Sequence, residues 1–501
     1  MLLIHPPLAK ACEPPAGITR LAGALRGNNQ DCTLWDANLE AQLFLLKQPQ
    51  VPVDTWGKRA WRNVQPNLTK LRRPQLYENS DRYQRAIIDV NRALSQSIDQ
   101  PGITISLANY QDEAFSPLRS EDLLRAAEEY ERNPFFPFFQ NRVPELLAKA
   151  RGEWIGISLN YLSQALPAFA LIGFLKNKYP DFSLILGGGL ITSWLRSPSW
   201  ENPFAELIDR LVAGPGEESL LEILGKTSDS NYSQPDFSGL PLQDYLAPGL
   251  ILPYSASTGC YWNRCSFCPE KAEGAPYTRI SADQVMADIT ALVSASQPRL
   301  IHFLDNAVSP ALMKRLSLQP PGPAWYGFAR VSPELCSPDF CMGLRRSGCV
   351  MLKLGIESGS QEVLTAMDKG IDLQMVEEAL SGLAAAGIAT YVYLLFGTPS
   401  ESIYEARQTL DFTVRHADAI SFLNLAIFNL PRNSPESNDL ALHDFSAADL
   451  ALYTDFHHPR DWNRKAVRNF LSTEFKPHPA IRQILQRDPP FYTSNHAPFF
   501  G

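Results

Sequence analysis

The segment Thr258-Gly-Cys-Tyr-Trp-Asn-Arg-Cys-Ser-Phe-Cys-Pro-Glu270 has three cysteines within nine positions, Cys260, Cys265 and Cys268. It lies between an apolar run that predicts a strand and a pattern that predicts a long helix. Iron–sulfur clusters are held by closely spaced cysteine thiolates, normally four, so three would leave one iron with an open position. The segment therefore predicts an iron–sulfur cluster whose open iron can hold a substrate or cofactor.

Other uses of clustered cysteines fit this sequence less well. A structural zinc site needs a fourth Cys or His at ligand spacing, and the next candidate after Cys268 is His302, inside a predicted strand. Disulfides belong mainly to small secreted chains, whereas the N-terminus breaks at Pro6-Pro7, too early for an export signal. The scattered remaining thiols predict small core residues in a reducing cytoplasm. They are Cys12, Cys32, Cys336, Cys341 and Cys349.

The composition predicts a soluble protein of several domains. With 501 residues, 45% of them hydrophobic, the chain can bury two or three ordinary cores. A net charge of -8 and a pI near 5.6 argue against broad attraction to nucleic acid or anionic lipid, which normally needs a basic face. No apolar run reaches membrane-spanning length. We therefore expect neither nucleic acid nor a membrane as a partner.

The N-terminal part of the chain alternates predicted strands and helices joined by short turns. This alternation predicts a doubly wound parallel sheet, a Rossmann-like domain over residues 1–225. Residues 39–149 are predicted to form a helical insertion within it, and the Ser-, Asp-, Pro- and Gly-rich segment 226–249 a linker. The elements are, in chain order, strands at 2–5, 32–35, 154–159, 182–189 and 210–213, and helices at 17–25 and 164–177.

A second alternation after residue 250 predicts a partial (β/α)6 barrel over 250–430, with the cysteine loop after its first strand. In α/β barrels the chemistry gathers at the C-terminal ends of the strands. Residues 431–501 break the alternation and are predicted to form a C-terminal extension or cap. Two interpretations are considered for His457, His458, Trp462 and His496. The favoured one is a packed tail, and the alternative is a cap over the substrate. The predicted barrel strands are 251–256, 300–304, 325–329, 350–355, 390–396 and 419–425.

Polar or glycine residues follow the predicted barrel strands. Asp305-Asn306 ends the second, Arg330 the third, Gly355-Ile-Glu-Ser-Gly-Ser360 the fourth and Phe396-Gly-Thr-Pro399 the fifth. Each alone is explained as well by an ordinary loop charge or helix cap. Their coincidence at one rim predicts a binding site, in which the glycine-rich segment offers backbone N–H groups to a nucleoside or carboxylate.

Together these motifs resemble the radical SAM superfamily, and most of all its members with an N-terminal cobalamin-binding-type domain. The resemblance covers most of residues 1–30 and 152–420. One departure is the spacer Tyr261-Trp-Asn-Arg264, which has four residues where most members have three. Spacing variants still build the same cluster in relatives, so the prediction of a cluster holds.

The resemblance implies a site in which Cys260, Cys265 and Cys268 hold a 4Fe–4S cluster. The open iron would bind the amino and carboxylate groups of S-adenosylmethionine, and one electron would cleave this cofactor to a 5′-deoxyadenosyl radical. Phe267 would lie beside the adenine, and Gly397 and Pro399 would shape the adenine side. The candidates for contact with the methionine and ribose groups are Asp305, Asn306, Arg330, Glu357 and Ser358.

The N-terminal motifs, which include Ile4-His-Pro-Pro7 and Gly214-Pro-Gly-Glu-Glu218, look like the cobalamin-binding fold. The Asp-x-His-x-x-Gly signature that supplies a lower cobalt ligand in other B12 proteins is absent, as is common in cobalamin-dependent radical SAM enzymes. Two interpretations stay open, a cobalamin site or a sheet kept as scaffold or substrate clamp. The residues that would bind cobalamin are Ser158, Gly187, Gly188 and Gly189.

The resemblance implies an enzyme that acts on an unactivated C–H bond of a substrate that the sequence does not identify. Methyl transfer from methylcobalamin is one outcome, and cobalamin-independent rearrangement, cyclisation or oxidation is another. It also implies an electron donor of the flavodoxin or ferredoxin type. The alternative from a different class is a non-catalytic iron–sulfur or zinc module. No residue is assigned as catalytic.

Overall fold

The structure is a computed structural model that describes residues 1–48, 54–150, 152–197, 200–227, 232–443, 448–491 and 496–500. The chain divides into two compact units, Met1–Gly249 with Ser446–Leu452, and Leu250–Phe445 with Tyr453–Gly501. Within the segment expected to be a linker, residues 228–231 lie outside the described residues. Its second half packs on the first unit, where the Tyr245 hydroxyl donates to Asp36 at 2.7 Å. The boundaries predicted from sequence stay predictions.

The first unit is built on a five-stranded parallel sheet with strand order β2-β1-β5-β6-β7. All four residues of β1 are buried, as expected for a strand of a parallel sheet covered on both faces. The sheet confirms the predicted Rossmann-like class. Its strands and helices are β1 Leu2–His5, α1 Ala16–Gly27, β2 Thr33–Asp36, α2 Ala37–Leu45, α3 Thr55–Leu71, α4 Pro74–Tyr77, α5 Ser80–Ser95, β3 Ile103–Ile105, β4 Tyr110–Asp112, α6 Ser120–Glu128, α7 Phe136–Leu147, β5 Trp154–Ser158, α8 Leu162–Lys178, β6 Ser183–Gly187, α9 Gly189–Leu195, β7 Arg210–Leu211 and α10 Glu217–Ile223.

The insertion between β2 and β5 is mainly helical, as predicted. Helices α3 and α5 begin at side-chain caps, since Asp54 accepts from the Gly57 N–H and Asn79 from the Arg82 N–H. A short antiparallel hairpin, β3 with β4, interrupts the helices and was not predicted. Its strands have three residues each, too few for an alternating pattern to stand out in the sequence.

The second unit contains a six-stranded parallel sheet in the order β15-β14-β13-β12-β11-β8. Six strands in consecutive order confirm the predicted partial barrel class. Its strands and helices are β8 Ile251–Tyr254, β9 Ser257–Thr258, α11 Pro269–Ala272, β10 Thr278–Arg279, α12 Ala282–Ser296, β11 Leu300–Phe303, α13 Pro310–Leu318, β12 Ala324–Ala329, α14 Pro338–Arg346, β13 Cys349–Glu357, α15 Gln361–Ala366, α16 Leu373–Ala385, β14 Ala389–Phe396, α17 Ile403–Arg415, β15 Phe422–Ile427, β16 Leu430–Pro431, β17 Tyr453–Thr454, α18 Arg464–Phe470 and α19 Pro479–Leu485.

Two barrel strands differ from the prediction in a way that matters for the rim. Strand β13 continues to Glu357, two residues beyond the predicted end, because Ile356 is still buried. Strand β15 begins at Phe422 rather than at residue 419, since Ala417–Ala419 forms a 3-10 turn whose last carbonyl accepts from the Thr390 hydroxyl at 2.6 Å. In the part of the chain that the structure describes, no helix is long and apolar enough to cross a bilayer.

Candidate active site

The cysteine loop leaves the barrel along β9 and returns along β10, which pairs with β9 as a short antiparallel ribbon. Gly259 begins the loop with a φ of +70°, and a Cβ there would lie 2.6 Å from the Pro276 carbonyl oxygen. Only glycine allows the two sides of the ribbon to approach this closely. The ribbon thus fixes both ends of the segment that carries the thiols.

All three thiols of the loop are free and half-buried. Among the described residues, no group of three or more His, Cys, Asp and Glu side chains is arranged to hold one metal ion. A 4Fe–4S cluster makes a different demand, because each thiolate binds a different iron and the three sulfurs stand apart around the cluster. The donor set of three unpaired thiols on one short loop fits such a cluster.

Burial and nearby charges act in opposite directions on these thiols. Burial raises the pKa of Cys265, while the cations of Lys369 and Arg330 oppose the rise. Burial raises the pKa of Cys268 to about 11, against the backbone N–H groups at the start of α11. Cations and N–H groups of this kind would stabilise thiolates bound to iron.

A four-residue segment after α15, Met367-Asp-Lys-Gly370, clamps the cysteine loop. The Trp262 indole N–H donates to the Asp368 carbonyl at 3.1 Å, and the Ser266 N–H donates to the Met367 carbonyl at 3.0 Å. The Arg264 guanidinium binds both carboxylate oxygens of Asp368, each at 3.0 Å. We call Met367–Gly370 the clamp segment. It binds both residues that flank Asn263 in the spacer between the first two cysteines.

The aromatic ring of Trp262 lies at the centre of this arrangement. The Arg330 guanidinium carbon stacks 3.9 Å from the ring centroid and that of Arg264 lies 4.9 Å away. Arg330 also donates to the carbonyl of Lys369. A Cβ on Gly370 would lie 2.1 Å from the Trp262 ring. The stack therefore ties the cysteine loop, the end of β12 and the clamp segment together.

Glu357 ends strand β13 with a φ of +70°, a backbone conformation that is strained for a residue with a side chain. Its carboxylate accepts from the Lys369 ammonium at 2.8 Å, and both side chains are mostly buried. The same ammonium lies 5.4 Å from the Phe267 ring centroid. Lys369 therefore links the predicted cofactor residues Phe267 and Glu357 to the clamp segment.

Two other predicted cofactor residues, Asp305 and Ser358, have partners within the barrel. Asp305 is buried, accepts from the Ala256 N–H at 3.0 Å and binds the Ser257 hydroxyl; burial raises its pKa. The Ser358 hydroxyl is fully buried and lies 3.1 Å from that of Thr409 on α17. Asn306, by contrast, is exposed. Asp305 and Ser358 thus hold the ends of β8 and β13 in position.

The loop after β14 is held by the C-terminal residues of the same unit. Glu401 is fully buried and accepts from the Gly397 N–H at 2.5 Å and from the Trp462 indole N–H at 2.8 Å. The His458 ring donates to the Thr398 carbonyl at 2.9 Å. Gly397 has a φ of +81°, and Pro399 is half-buried. These contacts fix the loop that carries the two predicted adenine-side residues.

In the first unit, the predicted cobalamin-binding residues meet at the carboxyl edge of the sheet. Ser158 at the end of β5 pairs with Gly187 at the end of β6. Gly188 has a φ of +107°, and a Cβ there would lie 2.4 Å from the Leu159 carbonyl oxygen; the Gly189 N–H donates to Asn160 at 3.0 Å. If the five strands of this sheet are numbered 1 to 5 in chain order, their order across the sheet is 2-1-3-4-5. The topological switch point, at which the strand order reverses, lies between β1 and β5. Ligands of open α/β sheets bind at such a point.

The structure brings Cys265, Phe267, Arg330 and Glu357 to one cluster around the clamp segment. Asp305, Ser358 and Gly397 are bound to their own structural partners instead. The sequence did not point to the clamp segment, to its contact with Trp262, or to the hydrogen bond between Glu401 and Trp462. The only local signal was the turn composition Asp368-Lys-Gly370, which also suits an ordinary loop.

Residues 254–413 match the radical SAM superfamily. This range contains all three cysteines of the loop, the clamp segment and the ends of strands β11 to β14.

Two curated relatives are methyltransferases by name. The chain is 22% identical to an uncharacterised methyltransferase of Pyrococcus horikoshii over 54% of this chain and 66% of that protein. It is 27% identical to the bacteriochlorophyllide d C-12(1)-methyltransferase of Chlorobaculum tepidum, over 45% of this chain and 51% of that protein. The chain therefore spans less than two thirds of the length of either relative.

Two solved structures share the fold of most of the chain. The radical S-adenosylmethionine methyltransferase TsrM from Kitasatospora setae, solved with cobalamin and a 4Fe–4S cluster, matches with a TM-score of 0.54 and 15% identity over 88% of this chain and 77% of that one. The cobalamin-dependent S-adenosylmethionine radical enzyme OxsB, solved with aqua-cobalamin and S-adenosylmethionine, matches with a TM-score of 0.50 and 16% identity over 67% and 60%. Residues 254–413 thus match the radical SAM superfamily, and most of the chain shares the fold of TsrM and OxsB.

Proposed function

We propose that the chain is a radical SAM enzyme that holds a 4Fe–4S cluster on Cys260, Cys265 and Cys268 and methylates an unidentified substrate with the help of cobalamin. The observation that carries this proposal is the loop of three free thiols, clamped beside two cations within residues that match the superfamily. When bound, the cluster, S-adenosylmethionine and cobalamin would supply an organic radical and a methyl group.

The residues around the loop would orient the cluster and balance its charge. Thiolates add negative charge to a half-buried site, and Arg330 and Lys369 are the cations that face Cys265. Trp262 and the clamp segment hold the spacer so that the three sulfurs keep a fixed spacing. A preorganised set of ligands avoids the cost of ordering the loop each time that the cluster is assembled.

For S-adenosylmethionine we distinguish residues that would touch it from residues that would act through the backbone. Phe267, Asn306, Arg330, Glu357 and Pro399 are the proposed contacts. Asp305, Ser358 and Gly397 would instead set the positions of the strand ends, since their polar groups or backbones are already bound within the barrel. The contacts would surround the cofactor on the side of the loop that carries Phe267.

Cobalamin is proposed for the first unit at the carboxyl edge of its sheet. Ser158 and the run Gly187 to Gly189 lie at this edge, and glycines without Cβ atoms let a flat ligand approach the backbone. The fold shared with TsrM and OxsB, both solved with a cobalamin, supports this assignment, and the names of the two curated relatives support methyl transfer. The electron would come from a flavodoxin- or ferredoxin-type donor.

The proposal is tested by anaerobic reconstitution with iron, sulfide and hydroxocobalamin, followed by addition of S-adenosylmethionine and a strong reductant. We expect corrin absorbance that co-elutes with the protein, and 5′-deoxyadenosine or S-adenosylhomocysteine among the products by mass spectrometry. Absence of both nucleosides from a fully iron-loaded sample would refute the enzymatic proposal. A sample that forms 5′-deoxyadenosine but never retains corrin would refute the cobalamin assignment alone.

A further inference from the structure

The helical insertion of the first unit contains a basic pocket that the proposed function does not use. The pocket has a volume of about 690 Å³, within the range of small-ligand sites, and lies between α3, α4 and α5. Five of its lining side chains are basic and one, Asp89, is acidic. The basic side chains are those of Arg59, Lys70, Arg73, Arg82 and Arg85.

This concentration of positive charge opposes the charge of the chain as a whole. The chain carries a net charge of -8, yet residues 54–96 contain nine Lys or Arg and four Asp or Glu. Like charges that share a pocket repel one another, which destabilises the fold unless an anion balances them. The pocket therefore has a positive charge that an anionic ligand could balance.

The acids of the segment leave the pocket cations largely unbalanced. Asp89 is buried and accepts from the Asn63 amide at 3.1 Å, with Arg59 at 3.8 Å. Asp54 is bound to Arg92, which does not line the pocket. Among the described residues, Lys70, Arg73, Arg82 and Arg85 are exposed and form no ion pair with a carboxylate. Four cations are thus available to a ligand.

Helical geometry directs these cations to one space. Arg59, Asn63 and Lys70 recur along one face of α3, and Arg82, Arg85 and Asp89 along one face of α5. Guanidinium groups bind phosphate and carboxylate oxygens in pairs, and an ammonium adds a point charge. Among the described residues, no aromatic side chain lines the pocket, so these residues offer no stacking surface of the kind with which proteins bind single-stranded nucleic acid.

We propose that this pocket binds a small polyanion, a ligand with at least two phosphate or carboxylate groups. Arg59, oriented by Asp89, and the four exposed cations would surround its oxygens. The apolar part of the lining is small, Leu76, Pro66 and Ala86, so recognition would rest on charge rather than on a large hydrophobic body. The site belongs to the first unit and is independent of the cluster and of S-adenosylmethionine.

The test is calorimetric titration of the full-length protein with inorganic tripolyphosphate, pyrophosphate and citrate at constant ionic strength. We expect saturable binding, tightest for the anion whose charge best fits the pocket. The order of the three affinities then shows whether the pocket prefers phosphate groups or carboxylates. The double variant Lys70→Gln/Arg85→Gln should weaken binding by at least about tenfold, because each lost cation removes a charge-assisted hydrogen bond.

The matched control is Lys58→Gln/Arg62→Gln, which removes two exposed cations from α3 that do not line the pocket. It should weaken binding less than about twofold, by the general loss of charge alone. Equal weakening in both variants, or no saturable binding of any of the three anions, would overturn the proposal. If the first variant unfolds by circular dichroism, Arg73→Gln/Arg82→Gln replaces it with the same expected loss.

Discussion

At Gly370 a methyl group has no room, since a Cβ would lie 2.1 Å from the Trp262 ring and 3.1 Å from the Arg330 guanidinium. The φ of +64° adds strain for any other residue. Gly387 has nearly the same backbone conformation, a φ of +70°, but nothing lies within 4 Å of a Cβ there. Substitution at these two glycines therefore distinguishes the effect of backbone strain from the effect of displacing Trp262.

We predict that Gly370→Ala loses much of its iron after reconstitution while Gly387→Ala retains a full cluster. Both changes impose a left-handed conformation that costs about 1 to 2 kcal/mol, but only the first displaces Trp262 from the clamp segment. Iron and sulfide per chain, measured after gel filtration, give the comparison. Equal iron in the two variants would show that the clamp segment does not position the thiols.

The thiols themselves are tested by Cys268→Ala, with Cys336→Ala as the matched control. Both cysteines are half-buried and free, but the Cys336 thiol lies against the backbone carbonyls of Ser332 and Met375, away from the loop. We expect the visible absorbance of the cluster to be lost in Cys268→Ala and kept in Cys336→Ala. Retention of the full absorbance by Cys268→Ala would remove this thiol from the ligand set.

At the scale of residues, the sequence predicted the thiols and several rim positions but not what holds them. A spacing of cysteines is visible in the chain because all three ligands are local. The bond from Trp262 to the Asp368 carbonyl joins residues more than a hundred positions apart, and its acceptor is a backbone atom that any residue type would supply. Such contacts leave no pattern in a single sequence.

At the scale of elements, the loop after β14 and the residues around α18 form one packed unit. Phe396 at the end of β14 lies 5.3 Å from Phe475 and 6.1 Å from Phe470, measured between ring centroids. Beside these rings, burial raises the pKa of Glu401 to about 7, although its hydrogen bonds from Gly397 and Trp462 oppose the rise. The stability of this packing should therefore depend on pH.

We predict that the wild type loses free energy of unfolding as the pH rises from the ordinary value of a glutamate towards 7. The folded state binds the proton more tightly than the unfolded state, so the stabilisation is complete at low pH and lost above the folded pKa. Between about pH 5 and about pH 8 the loss due to this group should be about 2 kcal/mol. Urea unfolding of the wild type and Glu401→Gln at the two pH values measures it.

The change in the free energy of unfolding between the two pH values should be smaller in Glu401→Gln by that amount, because the amide does not titrate. The same pH dependence in variant and wild type would mean that Glu401 is not the group responsible. Arg407→Gln is a suitable control on neighbouring α17, since it removes a surface ion pair with Glu474 and leaves the buried carboxyl intact.

Elements with a long periodic pattern were predicted best. All six barrel strands were predicted near their observed positions, because each is a buried run bounded by polar or glycine residues. The hairpin of β3 and β4 was missed, since three-residue strands carry too little alternation. The end of β13 was predicted two residues early because Gly355 reads as a turn, whereas the strand continues through it to the strained Glu357.

At the scale of the whole molecule, the composition gave the net charge but not the distribution of charge. A net charge of -8 is an average that conceals the basic pocket of the insertion, since those cations meet only when α3 and α5 pack. The parallel class of both sheets followed from the alternation of elements. Their strand orders depend on pairing between distant segments, which one sequence does not reveal.

In the proposed enzyme, the three cysteines hold a cluster whose open iron binds S-adenosylmethionine. The direct measurement is electron paramagnetic resonance of the reconstituted, reduced protein before and after this cofactor is added. We predict about four iron per chain and a reduced-cluster spectrum that shifts on addition of S-adenosylmethionine but not of 5′-methylthioadenosine, which lacks the amino and carboxylate groups that would bind the open iron. A spectrum that does not respond to the cofactor in a fully loaded sample would contradict the account.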